Sequence, residues 1–170
     1  MGINTFDSDI VSKLEAKYRE YSTETIFRTR KTSDFVLEEI TAYPYGVSYT
    51  CLMIPRFIKH FLTGDLVEFL YQEMKNICIA YGWRLDYLDV RPDYLQWIIV
   101  VNPADSPSNF IRITQHSTSK EIFREFPRFR KENKSNNFWA SQYLVLAGSQ
   151  PYPLEMIQEF IRMTRKQQGQ

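Results

Sequence analysis

The chain has few cysteines and histidines, the residue types that usually bind zinc and other transition metals. Two cysteines, Cys51 and Cys78, and two histidines, His60 and His116, occur among 170 residues. Neither pair has the spacing of a metal site, and two cysteines do not suggest a disulfide framework. We interpret the cysteines as buried small hydrophobic residues, and we expect solvent-exposed polar roles for the histidines.

Long apolar runs are also missing. No stretch approaches the roughly 18 consecutive apolar residues of a membrane-spanning helix. The first residues, MGINTFDSDIVSKLE, carry acidic side chains where a signal peptide has a basic and then an apolar segment. We therefore expect no membrane span, no membrane partner and a cytoplasmic location.

The chain does have the composition of a folded domain. Hydrophobic residues make up 44% and aromatic residues 15% of it, which excludes a disordered protein and allows one core. The formal net charge is only +1, but residues 65–105 contain seven acidic and three basic side chains, whereas residues 112–134 contain seven basic and three acidic ones. The basic charge is therefore concentrated in the second segment.

Turn residues and hydrophobic periodicity predict the first half of the core domain. The turn at Gly46 precedes VSYTCLMI, a β-branched and apolar run of strand length. A helix with apolar residues at helical spacing follows and stops at Gly82. WRLDYLDV and YLQWIIVV are strand-like runs on either side of a turn at Pro92. The second run is apolar on both faces, which predicts a central strand.

The second half adds a helix, a strand and a helix. Ser106 caps a helix that ends at Pro127, RKENKSNN is a polar loop, FWASQYLVLAG is a strand, and Pro153 begins the last helix. The order predicts an α+β, ferredoxin-like split βαβ fold with a four-stranded antiparallel sheet and an added C-terminal helix. The predicted boundaries are a partly helical extension over 1–44 with a helix near 8–21, a core domain over 45–166 and a polar tail over 167–170.

The order and spacing of these elements resemble those of a known family. The segments that carry the resemblance are IPRFIKHFLTGD, AYGWRLDYLDVRPD, SPSNFIRITQHSTSKEIFREFP and FWASQYLVLAG. Together they resemble the single-tyrosine His-hydrophobic-His transposases of bacterial insertion sequences and the related REP-associated tyrosine transposases. The resemblance covers roughly residues 45–166.

In that family a Pro-Asp turn leads into a strand with two histidines at alternate positions. The resemblance implies that they hold a divalent ion that polarises a phosphate of single-stranded DNA. In this chain Pro92 and Asp93 are followed by Tyr94 and Gln96 at those positions. Tyr94 is neutral near pH 7 and Gln96 offers one carbonyl oxygen, so no strong nitrogen ligand is left there. We therefore expect no metal and no other cofactor.

The family's last helix carries the nucleophilic tyrosine and, one turn later, a glutamine that completes the metal site. Alignment of IQEFIRMT with that segment places Phe160 at the tyrosine and Thr164 at the glutamine. Phenylalanine has no oxygen for a phosphotyrosine bond, and Tyr152 lies before the helix, so it does not replace the nucleophile. We expect no catalytic residue, and we expect Tyr94 and Phe160 to make an apolar or aromatic contact, within one chain or across a dimer.

The basic segment is the candidate nucleic-acid interface. In the family, the helix that corresponds to SPSNFIRITQHSTSKEIFREFP and the exit of the first strand help to grip a DNA hairpin. Phosphate contacts need only clustered cations and can outlast catalysis. The residues selected in this way are Arg56, Lys59, Arg112, His116, Lys120 and Arg124. An ordinary solvated helix face is the alternative, because Glu121 and Glu125 dilute the charge.

The sequence therefore predicts a transposase-family domain that has lost DNA cleavage and strand transfer. We expect it to bind hairpin or single-stranded nucleic acid, DNA or RNA, as a homodimer. The alternative is a protein-interaction or assembly factor that binds a protein partner through the old DNA surface, the dimer surface or residues 1–44. An active insertion-sequence transposase is the third possibility.

Overall fold

The part of the chain described by the computed structural model is residues 46–170 together with Gly2, Ile3, Ser12, Lys13 and Ala16. Most of the extension predicted over 1–44 lies outside the described residues. The helix predicted near 8–21 also lies outside them, apart from Ser12, Lys13 and Ala16, which are helical.

Five strands and four helices make up the fold of the described residues. In chain order they are β1 (Gly2–Ile3), β2 (Val47–Pro55), α1 (Asp65–Tyr81), β3 (Arg84–Arg91), β4 (Tyr94–Val101), α2 (Pro107–Glu125), α3 (Pro127–Glu132), β5 (Trp139–Ala147) and α4 (Leu154–Gln167). No helix in the described part of the chain is long and apolar enough to cross a membrane.

The strands form one antiparallel sheet in the order β1-β5-β2-β4-β3. Strands β2 to β5 with α1 and α2 have the split βαβ arrangement, so the predicted ferredoxin-like, four-stranded antiparallel fold is confirmed. The two-residue strand β1, which pairs Gly2 with Val145 at the edge, is an addition that was not predicted. β4 lies between β2 and β3, as its apolar faces predicted.

Local capping explains where the main helices begin and end. Gly82 follows α1 with a φ of 69°, a left-handed conformation that glycine adopts without strain. Ser106 precedes α2, and its side chain accepts a hydrogen bond from the backbone N–H of Asn109. Pro107 occupies the first turn, where its missing N–H is not needed. These are the signals that the sequence contained.

The short helix α3 was not predicted. The sequence placed a polar loop directly after Pro127, but the chain continues as a helix to Glu132. A proline that ends one helix can also occupy the first turn of the next, because its fixed φ is helical. The buried ring of Phe129 anchors α3 on the core.

Each face of the sheet packs against different helices. Alternate residues of a strand point to opposite faces, so Cys51 and Trp97 pack with α1 and α2, and Leu52 packs with α4. Cys51 and Cys78 are both buried, as predicted, and burial raises the pKa of the Cys78 thiol to about 11. Neither cysteine is positioned as a reactive thiolate.

The expectation of an exposed role is wrong for His60. This residue is only 2% exposed, and its Nε2 lies 2.9 Å from Oε2 of Glu132 on α3. Its ring packs against those of Phe129 and Phe138, which also contact each other. The carboxylate bonds the buried Nε2, whereas the buried Nδ1 has no hydrogen-bond partner among the described residues. The sequence did not indicate this partner because α3 was not predicted. His116 is exposed, as expected.

Candidate functional site

The two positions that bear histidines in the related transposases face helix α4. Tyr94 and Gln96 lie at alternate positions at the start of β4. Tyr94 is half-buried against a cluster that includes Leu52 and Phe160, and Phe160 is fully buried there. The structure therefore places Tyr94 and Phe160 in one apolar cluster within a single chain.

Gln96 is engaged in a structural hydrogen bond. Its side-chain oxygen accepts a hydrogen bond from the backbone N–H of Tyr152, in the connection between β5 and α4. The Tyr152 hydroxyl in turn donates to the carbonyl oxygen of Thr50 on β2. Both side chains are buried, so these bonds fix the connection to the sheet. Tyr152 therefore has a structural role. It precedes α4 and does not take the place of the family's nucleophile on that helix.

The C-terminal half of α4 is fastened to the exit of β2. The guanidinium of Arg165 donates to the carbonyl oxygens of Pro55, at 2.9 Å, and Arg56, at 3.0 Å. Burial lowers the pKa of Arg165, and the charge of Asp93 acts in the opposite direction. Next to it, the Thr164 hydroxyl is buried without a hydrogen-bond partner among the described residues. These hydrogen bonds join α4 to the exit of β2.

The chemistry available at these four positions is that of neutral groups. Burial raises the pKa of Tyr94, and the nearby charge of Asp89 raises it further, so the phenol stays protonated at neutral pH. Phe160 has no polar atom, Gln96 is an amide and Thr164 is a hydroxyl. The arrangement can pack and hydrogen-bond, but these side chains supply neither a phenolate nor an imidazole.

Three of the six residues predicted to bind nucleic acid lie together at a different surface, beside α2. Arg56 follows β2, and Arg112 and His116 lie one turn apart on α2. All three line one cleft of about 320 Å³. We call this space the basic cleft. Its other lining residues, which sequence reasoning missed, are Gln115, Ser135, Asn136 and Asn137.

The other three predicted cations do not line the basic cleft. Lys59 lies 3.6 Å from the carboxylate of Glu132. Arg124 forms ion pairs with Glu121, at 2.7 Å, and with Glu125, at 2.9 Å. Exposed pairs of this kind contribute little to stability, but they reduce the charge offered to an anion. Lys120 lines an adjoining groove.

The loop over residues 133–137 forms the wall of the basic cleft that the sequence did not predict. Asn133 is fully buried; its Nδ2 donates to the carbonyl oxygen of Asn137, and its Oδ1 accepts from the backbone N–H of Ser135, both at 2.9 Å. The Ser119 hydroxyl on α2 donates to Asn137 Oδ1 at 3.1 Å and so ties the loop to the helix. The run of Asn and Ser before a strand was the available signal, since such side chains often bond to local backbone.

Arg56 connects the anchored α4 with the basic cleft. Its carbonyl oxygen accepts from Arg165, and its N–H donates to the carbonyl oxygen of Phe138 at 2.9 Å, so its backbone is held from two sides. Its Nε is buried and has no hydrogen-bond partner in the described part of the chain. A buried unpaired donor is costly.

Comparison with known proteins identifies the family. The family model described as IS200-like transposases matches residues 44–164. The chain belongs to the IS200-like transposase family. The ISDra2 transposase TnpA of Deinococcus radiodurans is 18% identical over 108 residues, which are 64% of this chain and 77% of that protein.

One solved structure has a similar fold, and a second was matched more distantly. A transposase crystal structure from Deinococcus radiodurans has a TM-score of 0.63 and 20% sequence identity, and the match covers 80% of this chain and 98% of that one. A REP-associated tyrosine transposase bound to a REP hairpin has a TM-score of 0.47 and 10% identity, over 83% and 75% of the two chains.

The divalent ion of the family does not fit the donors present in this member. The Gln96 oxygen already accepts a hydrogen bond from the Tyr152 N–H, and Tyr94 and Thr164 are neutral. Hard divalent ions are held by carboxylates and carbonyls, and softer ones by imidazole and thiolate. No reaction step is therefore assigned to a metal at these positions. Within the residues that the structure describes, no group of three or more His, Cys, Asp or Glu side chains is placed to hold one elsewhere.

Proposed function

We propose that this IS200-like transposase domain has lost DNA cleavage and strand transfer and binds hairpin or single-stranded nucleic acid through the basic cleft. The observation that carries the proposal is the convergence of Arg56 with Arg112 and His116, which are far from it along the chain, on one cleft. Cations gathered on one surface are what phosphate contacts require. The cytoplasmic location expected from the sequence belongs to the same proposal.

The loss of chemistry is supported by the α4 side of the sheet. Strand cleavage by this family needs an activated phosphate and a tyrosine nucleophile. Phe160 stands at the nucleophile position and is fully buried among apolar side chains. Gln96 stands at a ligand position and is used to hold Tyr152. Both requirements of the reaction are therefore replaced by packing and structural hydrogen bonding.

The binding proposal is tested by titrating the protein into fluorescent hairpin DNA between about 50 mM and about 200 mM salt. We expect binding that weakens with salt. Arg112→Ala should weaken it and lower the salt slope by about 1, because one phosphate contact is lost. Lys166→Ala removes an exposed cation from α4 and is the matched control, for which we expect no change. Absence of wild-type binding at low salt would contradict the proposal.

One observation favours the alternative of a protein-interaction role. Ile58 and Phe61, in the connection between β2 and α1, are each more than half exposed. Exposed apolar side chains close together suit a protein partner or a second copy of this chain. The homodimer stays a prediction. Light scattering on the wild type and on Ile58→Ser with Phe61→Ser tests it, because a dimer through this surface should become a monomer.

A further inference from the structure

Two walls of the basic cleft come from distant parts of the chain. One is the exit of β2, which carries Arg56, and the other is the loop over residues 133–137 between α3 and β5. The backbone N–H of Arg56 donates to the carbonyl oxygen of Phe138 at 2.9 Å, so a backbone bond joins these walls where the loop ends. Where the loop begins, a pair of side chains joins them.

That pair is His60 and Glu132. His60 lies in the same short connection as Arg56, and Glu132 is the last residue of α3, directly before the loop. Nε2 of His60 lies 2.9 Å from Oε2 of Glu132. The bond from His60 holds the pKa of Glu132 below its ordinary value, so the side chain is a carboxylate at neutral pH. A carboxylate only accepts hydrogen bonds, so Nε2 of His60 carries the hydrogen.

The His60 ring also contacts the segments on both sides of the loop. Its centroid lies 5.0 Å from that of Phe129, on α3 before the loop. It stacks on Phe138, after the loop, with centroids 5.7 Å apart and an angle of 13°. One side chain from the exit of β2 therefore contacts both ends of the segment that holds the loop.

Packing alone does not explain a histidine at this position. His60 is 2% exposed, and its Nδ1 is buried without a hydrogen-bond partner among the described residues. Nδ1 is an acceptor in the neutral ring and a donor in the charged ring, so it is unsatisfied in both forms. Phenylalanine would fill the same aromatic surroundings without that cost. The bond to Glu132, by contrast, needs the Nε2 of a histidine.

The loop offers neutral hydrogen-bonding groups to the cleft. Ser135, Asn136 and Asn137 are among its lining residues. Side chains of these types bond to the phosphates and sugars of nucleic acids without neutralising charge. Such contacts add most affinity when the groups are held in place before binding, because ordering them on binding costs free energy.

We propose that His60 is a positioning residue of the basic cleft, which holds the loop over residues 133–137 ready for a nucleic-acid backbone through its bond to Glu132. The inference deepens the proposed function and rests on it. Because the side chains of the loop are neutral, loss of their contacts should weaken binding equally at every salt concentration. Loss of a contact from Arg112, which is charged, should instead lower the salt slope.

The test compares His60→Phe and Glu132→Ala with the wild type in binding to fluorescent hairpin DNA over a salt series. Each variant should weaken binding by about threefold to thirtyfold, the range for ordering one or two side chains on binding, with an unchanged salt slope. The double variant should bind no more weakly than either single variant, because both remove the same bond. Glu132→Gln should keep the wild-type affinity, since its amide oxygen can still accept from Nε2.

Glu159→Ala is the matched control. It removes the same charge from α4, where Glu159 pairs with Arg162 at 2.6 Å, and it should leave the affinity unchanged. If the charge of Glu132 alone mattered, Glu132→Ala would tighten binding to DNA, which would contradict the inference. Circular dichroism melting separates lost positioning from lost folding. His60→Phe should melt close to the wild type, because the new ring keeps the aromatic contacts.

Hydrogen exchange in the free protein tests the loop without DNA. Ser135 donates its backbone N–H to Asn133 within the loop, and peptides over residues 133–138 should exchange faster in His60→Phe and in Glu132→Ala than in the wild type. Unchanged exchange there would overturn the inference. So would wild-type affinity in both variants, while the proposed function would stand. If the wild type binds no hairpin, the proposed function fails and the inference fails with it.

Discussion

The two sides of the sheet carry different kinds of surface. On the α4 side, Phe160 and Gln96 are buried and take part in packing and in a structural hydrogen bond. On the α2 side, Arg112 and His116 are exposed and line an open polar cleft. Cleavage needs a few groups at exact distances, whereas phosphate binding needs only a set of nearby cations. Cleavage is therefore more easily lost by substitution than phosphate binding is.

The largest expected effect is on folding stability, from a substitution on the α4 side of the sheet. Phe160→Ala removes a fully buried ring from the cluster between α4 and the sheet, so it should lower the free energy of unfolding by about 3–5 kcal/mol. Urea denaturation measures this. Leu154→Ala on the same helix is the control, because Leu154 is 57% exposed and its loss should change stability by less than about 0.5 kcal/mol. Similar small effects for both variants would mean that the α4 side is an open site rather than packed core.

The next largest effect is on DNA affinity, from substitutions on the α2 side of the sheet. Arg56→Ala with Arg112→Ala should reduce affinity for hairpin DNA at low salt and lower the salt slope by about 2, one for each phosphate contact. Stability should change much less than in Phe160→Ala, since Arg112 is exposed. Binding is measured by fluorescence anisotropy over a salt series. An unchanged slope would place the phosphates outside the basic cleft.

A smaller effect is expected from the hydrogen bond that uses Gln96. Gln96→Ala leaves the Tyr152 N–H buried without its acceptor, which should cost about 1–3 kcal/mol of folding stability. Gln158→Ala, at an exposed position of α4, is the control and should be nearly neutral. Urea midpoints compare the two. If Gln96→Ala is also neutral, then Gln96 is not structural, and a role at a polar site would have to be reconsidered.

Part of this arrangement could be predicted from the sequence and part could not. Periodicity and caps predicted the sheet and the main helices, because signals such as Ser106 and Gly82 act locally. α3 was missed because Pro127 both ends one helix and begins the next. The burial of His60 and the pairing of Gln96 with Tyr152 were not predicted, since they depend on contacts between segments far apart in the chain.

The residues of the candidate site were also predicted only in part. The family resemblance selected Arg56, Arg112 and His116, which the structure brings together, and also Lys59 and Arg124, which pair with acidic neighbours. Sequence spacing alone does not show which cations are paired, because a carboxylate such as Glu132 approaches only in the folded chain. The part that residues 135–137 of the predicted polar loop take in lining the cleft was not predicted for the same reason.

The smallest effect concerns acid stability near the basic cleft. The hydrogen bond from His60 lowers the pKa of Glu132 in the folded protein, and the charge of Lys59 lowers it further. A lowered folded pKa contributes stability above the ordinary carboxyl pKa, and that stability is lost as the pH falls through the lowered value. Glu132→Gln should remove this part of the acid sensitivity. Urea midpoints between neutral pH and about pH 3 test it; equal acid slopes in variant and wild type would contradict it.

The central claim is that binding persists without cleavage, and one measurement addresses it directly. The wild-type protein is incubated with end-labelled hairpin DNA that has single-stranded flanks, in magnesium or manganese, and the products are separated on native and denaturing gels. We predict a shifted complex on the native gel and only intact, protein-free DNA on the denaturing gel, because Phe160 cannot form a phosphotyrosine bond. A shortened strand or a covalent protein–DNA adduct would contradict the account.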